Sequence, residues 1–323
     1  MLKQLVNECL IELAIRPTGP VLVKSGLETV SGPNMAFVRT WRNGDPQVYL
    51  PGSSIKGVLR SHAERIARTF DETKACDPFS KDGPTMFCGE RFQQRNKQFD
   101  EKVENQEVYA SSCPICRLFG STWFGGRLAT ADAYAEGTPP RPEQRDGVGI
   151  DRFTGGAAHG AKFELEVITG GTFTTSLHIR NFELWQLGLV GFLLQDLKDG
   201  LIRVGMGKSR GLGAVKGEVR SVRVDFLGPQ APKLADGQLT LKGMGEMVPE
   251  EMARAYGMTR PDVVSVPFGR ELRSDLGRIR TTAVFPGESF PWVEVAPRWV
   301  DYVEAYATRP EMRPSRFARR DEQ

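Results

Sequence analysis

The chain has 323 residues, of which 40% are hydrophobic and 26% charged, the make-up of a soluble globular protein with room for one large domain or two ordinary ones. No run of about 18 apolar residues is present to span a membrane. The opening MLKQLVNECLIEL carries acids inside its apolar stretch and no small-residue cleavage site, so no signal peptide is expected and the cytoplasm is the expected compartment.

In chain order, residues 7–16 alternate over Cys9, Ile11, Leu13 and Ile15, which predicts a half-buried strand with Cys9 as a small core residue. After a polar stretch to residue 45, residues 48–50 predict a short strand and Pro51-Gly52 a turn. A helix follows, with Ser53 or Ser54 as its cap. Its apolar face holds Ile55, Val58, Leu59, His62, Ala63, Ile66, Ala67 and Phe70. A helix opening on Pro-Gly-Ser-Ser presents backbone N–H groups and the positive end of its dipole, with two hydroxyls beside them and Lys56 and Arg60 along one face. That combination suits a phosphate; an ordinary capped amphipathic helix is the plainer alternative.

Residues 71–110 are polar and charged and read as an insertion. Residues 128–134 predict a strand, residues 148–181 strands around a glycine-rich hairpin tip, and residues 182–200 an apolar helix with Asn181 as cap and Gly200 as stop. Next comes VGMGKSRGLG, residues 204–213. The Gly207-Lys208-Ser209 triplet suggests an ATP-binding loop, but that pattern needs a glycine five residues earlier, where Ile202 stands. What remains is a flexible cationic turn suited to close approach by a phosphate backbone. Residues 203–223 hold six basic residues (Arg203, Lys208, Arg210, Lys216, Arg220, Arg223) against Glu218, and residues 52–70 hold Lys56, Arg60, Arg65 and Arg68 against Glu64. Charge focused on glycine-rich segments is the footprint of a polyanion groove, and solvated basic faces are the alternative.

A strand over residues 214–228 closes the core. The order strand, helix, strands, helix, strand predicts an α+β, ferredoxin-like (RRM-like) core over residues 1–228, without an RRM aromatic signature. Residues 229–323 are expected as a C-terminal extension. They comprise a linker at 228–245, a short helix at 249–256, a strand and helix at 290–307 that dock back, and a basic tail.

Of five cysteines, Cys113 and Cys116 form a Cys-Pro-Ile-Cys knuckle, and Cys76 and Cys88 precede it. Four thiols in a chain without secretion signals predict a structural, tetrahedral Zn²⁺ site that pins the insertion, residues 71–120. A redox pair is the alternative, but RLFGS after the knuckle does not suggest a thioredoxin-like helix.

Taken together, YLPGSSIKGVLRS, CPICRLFGS and VGMGKSRGLG resemble the RAMP superfamily backbone subunits of type III CRISPR effector complexes, over roughly residues 5–227. The resemblance implies a subunit that binds guide RNA and complementary target RNA beside neighbouring RAMP subunits and other effector components. Ser53, Ser54, Lys56 and Arg60 would hold guide phosphates, with Gly207, Lys208, Ser209 and Arg210 lining the same groove. Residues 148–165 would be the family's thumb, which wedges between guide and target, with Arg152, Phe153 and Thr154 touching RNA. Cleaving members carry an Asp about five residues before an Arg in the loop after the first strand, and cut target RNA with a divalent metal. Anchored on Arg39, that position is Asn34. An amide is no base and a weak metal ligand, so no catalytic residue is expected. Mg²⁺ matters only if a nearby acid such as Glu28 or Asp45 substitutes, making the chain a metal-dependent endoribonuclease that cuts target or guide precursor. His62 and His178 read as structural, and His159 as a hairpin-tip residue without a partner base.

Overall fold

The protein is described from a computed structural model covering residues 3–26, 33–99, 103–274 and 279–308. Strand β1 (Asn7–Pro17) precedes the hairpin β2 (Arg39–Arg42) and β3 (Asp45–Leu50), then helix α1 (Gly52–Phe70). Helices α2 (Cys88–Phe99), α3 (Asn105–Ala110) and α4 (Pro114–Phe119) follow. Next come the short strands β4 (Gly120–Ser121), β5 (Phe124–Gly125), β6 (Leu128–Thr130) and β7 (Ala133–Ala135). A long hairpin of β8 (Glu143–Ile150) and β9 (Ala157–Val167) leads into β10 (Phe173–Arg180), α5 (Leu184–Lys198) and β11 (Val215–Leu227). The remainder is β12 (Leu234–Ala235), β13 (Gln238–Lys242), α6 (Met244–Met247), α7 (Glu250–Ala255), β14 (Val263–Pro267), β15 (Arg273–Ser274), β16 (Arg280–Pro286), α8 (Trp292–Val295) and α9 (Pro297–Thr308).

This is an α+β architecture on an antiparallel sheet, nine-stranded among the described residues. The order is β15-β16-β11-β1-β10-β7-β3-β2, with β6 also on β10. The alternation read in residues 7–16 has its expected consequence. Cys9, Ile11, Leu13 and Ile15 are buried under the helices, while Glu12 and Arg16 are exposed. Burial also holds the Cys9 thiol well above its ordinary pKa, as a core role requires. Helix α1 packs Ile55, Leu59, Ala63 and Ala67, four residues apart, into the core; Phe70, at its end, is 40% exposed and meets Trp299 edge-on. Helix α5 is buried nearly all round because the sheet lies on one side and α1, α8 and α9 on the others. Its Trp185 ring stacks on Tyr302 of α9 at 4.1 Å.

Several local expectations are corrected. Neither Ser53 nor Ser54 caps α1: Pro51 is the cap residue, and the Asp132 carboxylate accepts from the Gly52 N–H at 2.7 Å. Residues 128–134 are not one strand. They break between β6 and β7, which turns Asp132 out of the ladder toward that helix start. Asn181 does not cap α5; its side chain joins the Val6 N–H and the Gln4 carbonyl, while Glu183 and Gln186 form a reciprocal capping box. Gly200 follows the helix end with φ +78°, consistent with the stop read there.

The segment after β11 is not a bare linker. Strand β13 pairs with β12 and β14 and buries Leu239 and Leu241, each worth about 2 kcal/mol. Strand β16 pairs with β11 in the main sheet, and α9 packs on α5. The basic tail, residues 309–323, lies outside the described residues.

Candidate nucleic-acid interface and metal centre

The cationic turn is built by its glycines. Gly205 and Gly213 take φ of +87° each, and a Cβ there would lie 2.1 Å from the Leu22 carbonyl oxygen and 2.5 Å from that of Val204. Only glycine lets the turn close so tightly on the segment after β1. Hydrogen bonds from Met206 N to Leu22 O and Gly213 N to Pro20 O fasten it. Arg203 donates to the carbonyls of Lys208 and Leu212, so it holds the loop from beneath. Lys208, Ser209 and Arg210 form one exposed helical turn between Gly207 and Gly211.

Two neighbours face this turn. Lys208 lies within Coulombic reach of Arg65 on α1, and partial burial followed by this like charge pushes its ammonium pKa down. The Arg210 guanidinium sits 5.9 Å from the centre of the Phe163 ring on β9. Opposite Phe163 in the hairpin stands Gly147, where a Cβ would meet the ring at 2.2 Å. Turn, helix and hairpin therefore converge. Arg65 and Phe163 are the partners that sequence reasoning missed; they lie 143 and 47 residues from Lys208 and Arg210, too far for local spacing to show.

At the start of α1, Ser53 is exposed and Ser54 half-buried. Burial, then the neighbouring Arg60, lower the Lys56 pKa. Asp132 occupies the first helix amide and accepts weakly from Tyr134 at 3.4 Å, so the strongest amide position already faces a carboxylate. Arg60 turns away from the opening: it donates to Glu64, to the Gly120 carbonyl and to Cys116 Sγ.

The hairpin tip is ordered by Asp151. Its carboxylate accepts from the Phe153 and Thr154 amides at 2.7 and 2.8 Å, and these bonds hold it below the usual Asp range. The Asx turn leaves Arg152, Phe153 and Thr154 exposed, Phe153 at 101%. The paired strands run over residues 143–150 and 157–167, slightly longer than the expected 148–165.

Asn34 is exposed at the foot of the same hairpin, where its Oδ1 accepts from the Glu164 N–H at 3.1 Å. Glu166 of β9, beside this loop, is held by Arg39 at 2.9 Å and accepts from the Phe37 N–H. Asp45 opens β3 and pairs in register with Arg42; Glu28 lies outside the described residues. His62 bonds Asp196 of α5 at 2.6 Å and His178 bonds Glu8 at 3.0 Å, both ties between elements. His159 is exposed on β9 just past the tip.

On the sheet face away from the helices, four arginines already have carboxylate partners. Arg16 pairs with Glu218, Arg220 with Glu136, Arg223 with Asp225 and Arg280 with Glu8. The basic run of residues 203–223 thus divides into a turn that offers charge and a strand whose arginines already have carboxylates.

Cys76, Cys88, Cys113 and Cys116 are all buried, and their four sulfurs lie within 4.8 Å of one another. Cys76 and Cys116 are 3.5 Å apart at sulfur, and none of the four is in a disulfide. A tetrahedral thiolate centre with metal–sulfur bonds of about 2.3 Å needs sulfur–sulfur edges of about 3.8 Å, so the cage fits a metal ion such as zinc. Around the cage, Phe92 and Tyr109 are buried and Trp123 packs edge-on against Phe92.

The fold and these two sites describe an α+β protein with a cationic glycine turn, a projecting hairpin and a Cys₄ cage. A family model for the RAMP superfamily matches residues 14–216, and the chain belongs to that superfamily, whose members bind or process RNA in CRISPR systems. A search of curated proteins finds no match. Among the described residues, no helix is long and apolar enough to cross a membrane.

Proposed function

We propose that the chain is a guide-RNA-binding backbone subunit of a type III CRISPR ribonucleoprotein, holding guide and target RNA without reading their sequence. The observation that carries this reading is the Arg210 guanidinium over the Phe163 ring, which joins turn and hairpin, with Lys208 near enough to Arg65 of α1 to feel its charge. A lysine pressed by burial and a neighbouring cation gains from a phosphate beside it, and backbone contacts of this kind are independent of sequence. Ser53, Ser54 and Lys56 extend the groove along α1. The exposed Phe153, with Arg152 and Thr154, is the wedge of a thumb that separates guide from target. The order β11-β1-β10-β7, with α1 and α5 on one face, supports a ferredoxin-like core. Zn²⁺ is the metal that suits four buried thiolates.

The test is to express the chain with a CRISPR RNA and the other effector subunits, then purify it. A discrete nuclease-resistant RNA of guide length and one zinc per chain are expected; chain free of RNA would refute the reading. Cleavage is the second function to weigh, because Asn34 sits at the foot of the hairpin where a metal-binding acid would face the groove. With Mg²⁺ and target RNA, no cut is expected opposite this subunit; such cuts would make it the endoribonuclease.

A further inference from the structure

The resemblance assigns Arg60 to RNA phosphate, but its surroundings say otherwise. On α1, Arg60 lies beside the buried stripe, toward the cysteine cage. Its Nε donates to Glu64 at 3.1 Å, Nη1 to the Gly120 carbonyl at 3.1 Å and Nη2 to Cys116 Sγ at 3.5 Å. Glu64 also pairs with Arg68, which donates to the Cys76 carbonyl at 3.0 Å. Three of the four sulfurs accept N–H groups among the described residues: Cys88 from Cys113 N, Cys113 from Cys116 N, and Cys116 from Arg60. The first two donors are neutral amides. Arg60 is the one charged side chain among the described residues that donates to a sulfur.

Charge explains why such a donor is needed. Four thiolates around a divalent cation leave a net charge of −2 in a buried site, and a buried unbalanced charge is costly. A guanidinium at a ligand sulfur offsets part of it and fixes the direction of the sulfur lone pair. We propose that Arg60 is the charge-balancing outer partner of the Cys76–Cys88–Cys113–Cys116 centre, not a phosphate contact, and that through it the metal centre anchors the middle of α1. This rests on the metal reading above and adds a role for α1: the same helix carries Lys56 and Arg65 toward RNA and Arg60 toward metal.

The experiment compares the full chain with Arg60→Met and Arg60→Lys. Zinc affinity is read by competition with a chromophoric chelator, and RNA binding by anisotropy across a salt series in zinc-saturated protein. Arg60→Met is expected to weaken zinc about 10–100-fold, the usual effect of losing an outer-shell partner. The salt slope for RNA should stay unchanged. Arg60→Lys keeps the charge, should fold, and should fall between. In cobalt-substituted protein its thiolate-to-metal absorption band should shift, because the donor at Cys116 has changed. Unaltered zinc affinity and cobalt spectrum, with a salt slope lower by about 0.7, would return Arg60 to the RNA and overturn the proposal. Wild-type chain that binds no zinc would overturn the metal reading itself and the proposal with it.

Discussion

At the residue scale, the cations separate into those offered to a ligand and those already satisfied. Lys208 and Lys56 are pressed by burial and by a like-charged neighbour, whereas Arg220 and Arg223 lie on carboxylates. Lys208→Glu should therefore weaken RNA binding for every sequence alike and lower the salt slope by about 0.7 per lost phosphate contact. Anisotropy with several unrelated RNAs checks this, and a sequence-selective loss would contradict a backbone contact. Asp132 is a second case. Its carboxylate caps α1 from 80 residues away, so Asp132→Ala should cost about 1 kcal/mol in denaturant unfolding. The sequence showed the helix start but not this cap. Ser53 and Ser54 satisfied the local rule for a cap, and the residue that performs it comes from a break between two strands. Arg60 shows the same limit: its spacing on the helix was legible, while its partner at Cys116 was not.

At the scale of elements, periodicity carried most of what could be read. β1, α1, α5 and β11 stand close to their expected places because burial imposes periods of 2 and 3.6 on them. The cysteine knuckle was legible from spacing, and the cage brings in Cys76 and Cys88 as that spacing suggested. Short strands left little signal: β12 and β13 lie within a stretch of glycine, proline and polar residues, and become strands by pairing with β14. The insertion also proved less polar in effect than in composition, since Phe92, Val108 and Tyr109 are buried beside the cage. Cys116→Ser should release the metal and loosen this segment. Metal analysis and protease mapping of residues 71–120 check it; unchanged metal content and cleavage pattern would contradict the cage as a binding site.

For the whole molecule, the C-terminal third belongs to the same packing as the rest. β16 extends the sheet, and Arg117, one residue past the knuckle, donates to the Gly257 carbonyl and the Tyr302 hydroxyl. Trp185 is covered by Trp299 and Tyr302. A chain ended after β11 would expose that face and the edge of β11 itself. Such a chain should aggregate or melt well below the full protein in a thermal scan; an unchanged melting temperature would show the core to be independent. Electrostatics gives the molecule two unlike sides. One has the cationic turn with the helix and hairpin beside it; the other is a sheet on which Arg16, Arg220, Arg223 and Arg280 pair with carboxylates. RNA is therefore expected on the side of the turn, helix and hairpin. Ultraviolet crosslinking of bound guide RNA, followed by peptide mapping, tests this most directly. Crosslinks are predicted within residues 53–65, 150–163 and 205–213 together. Crosslinks concentrated instead on the open sheet face, at Leu10, His178 or Arg180, would contradict it.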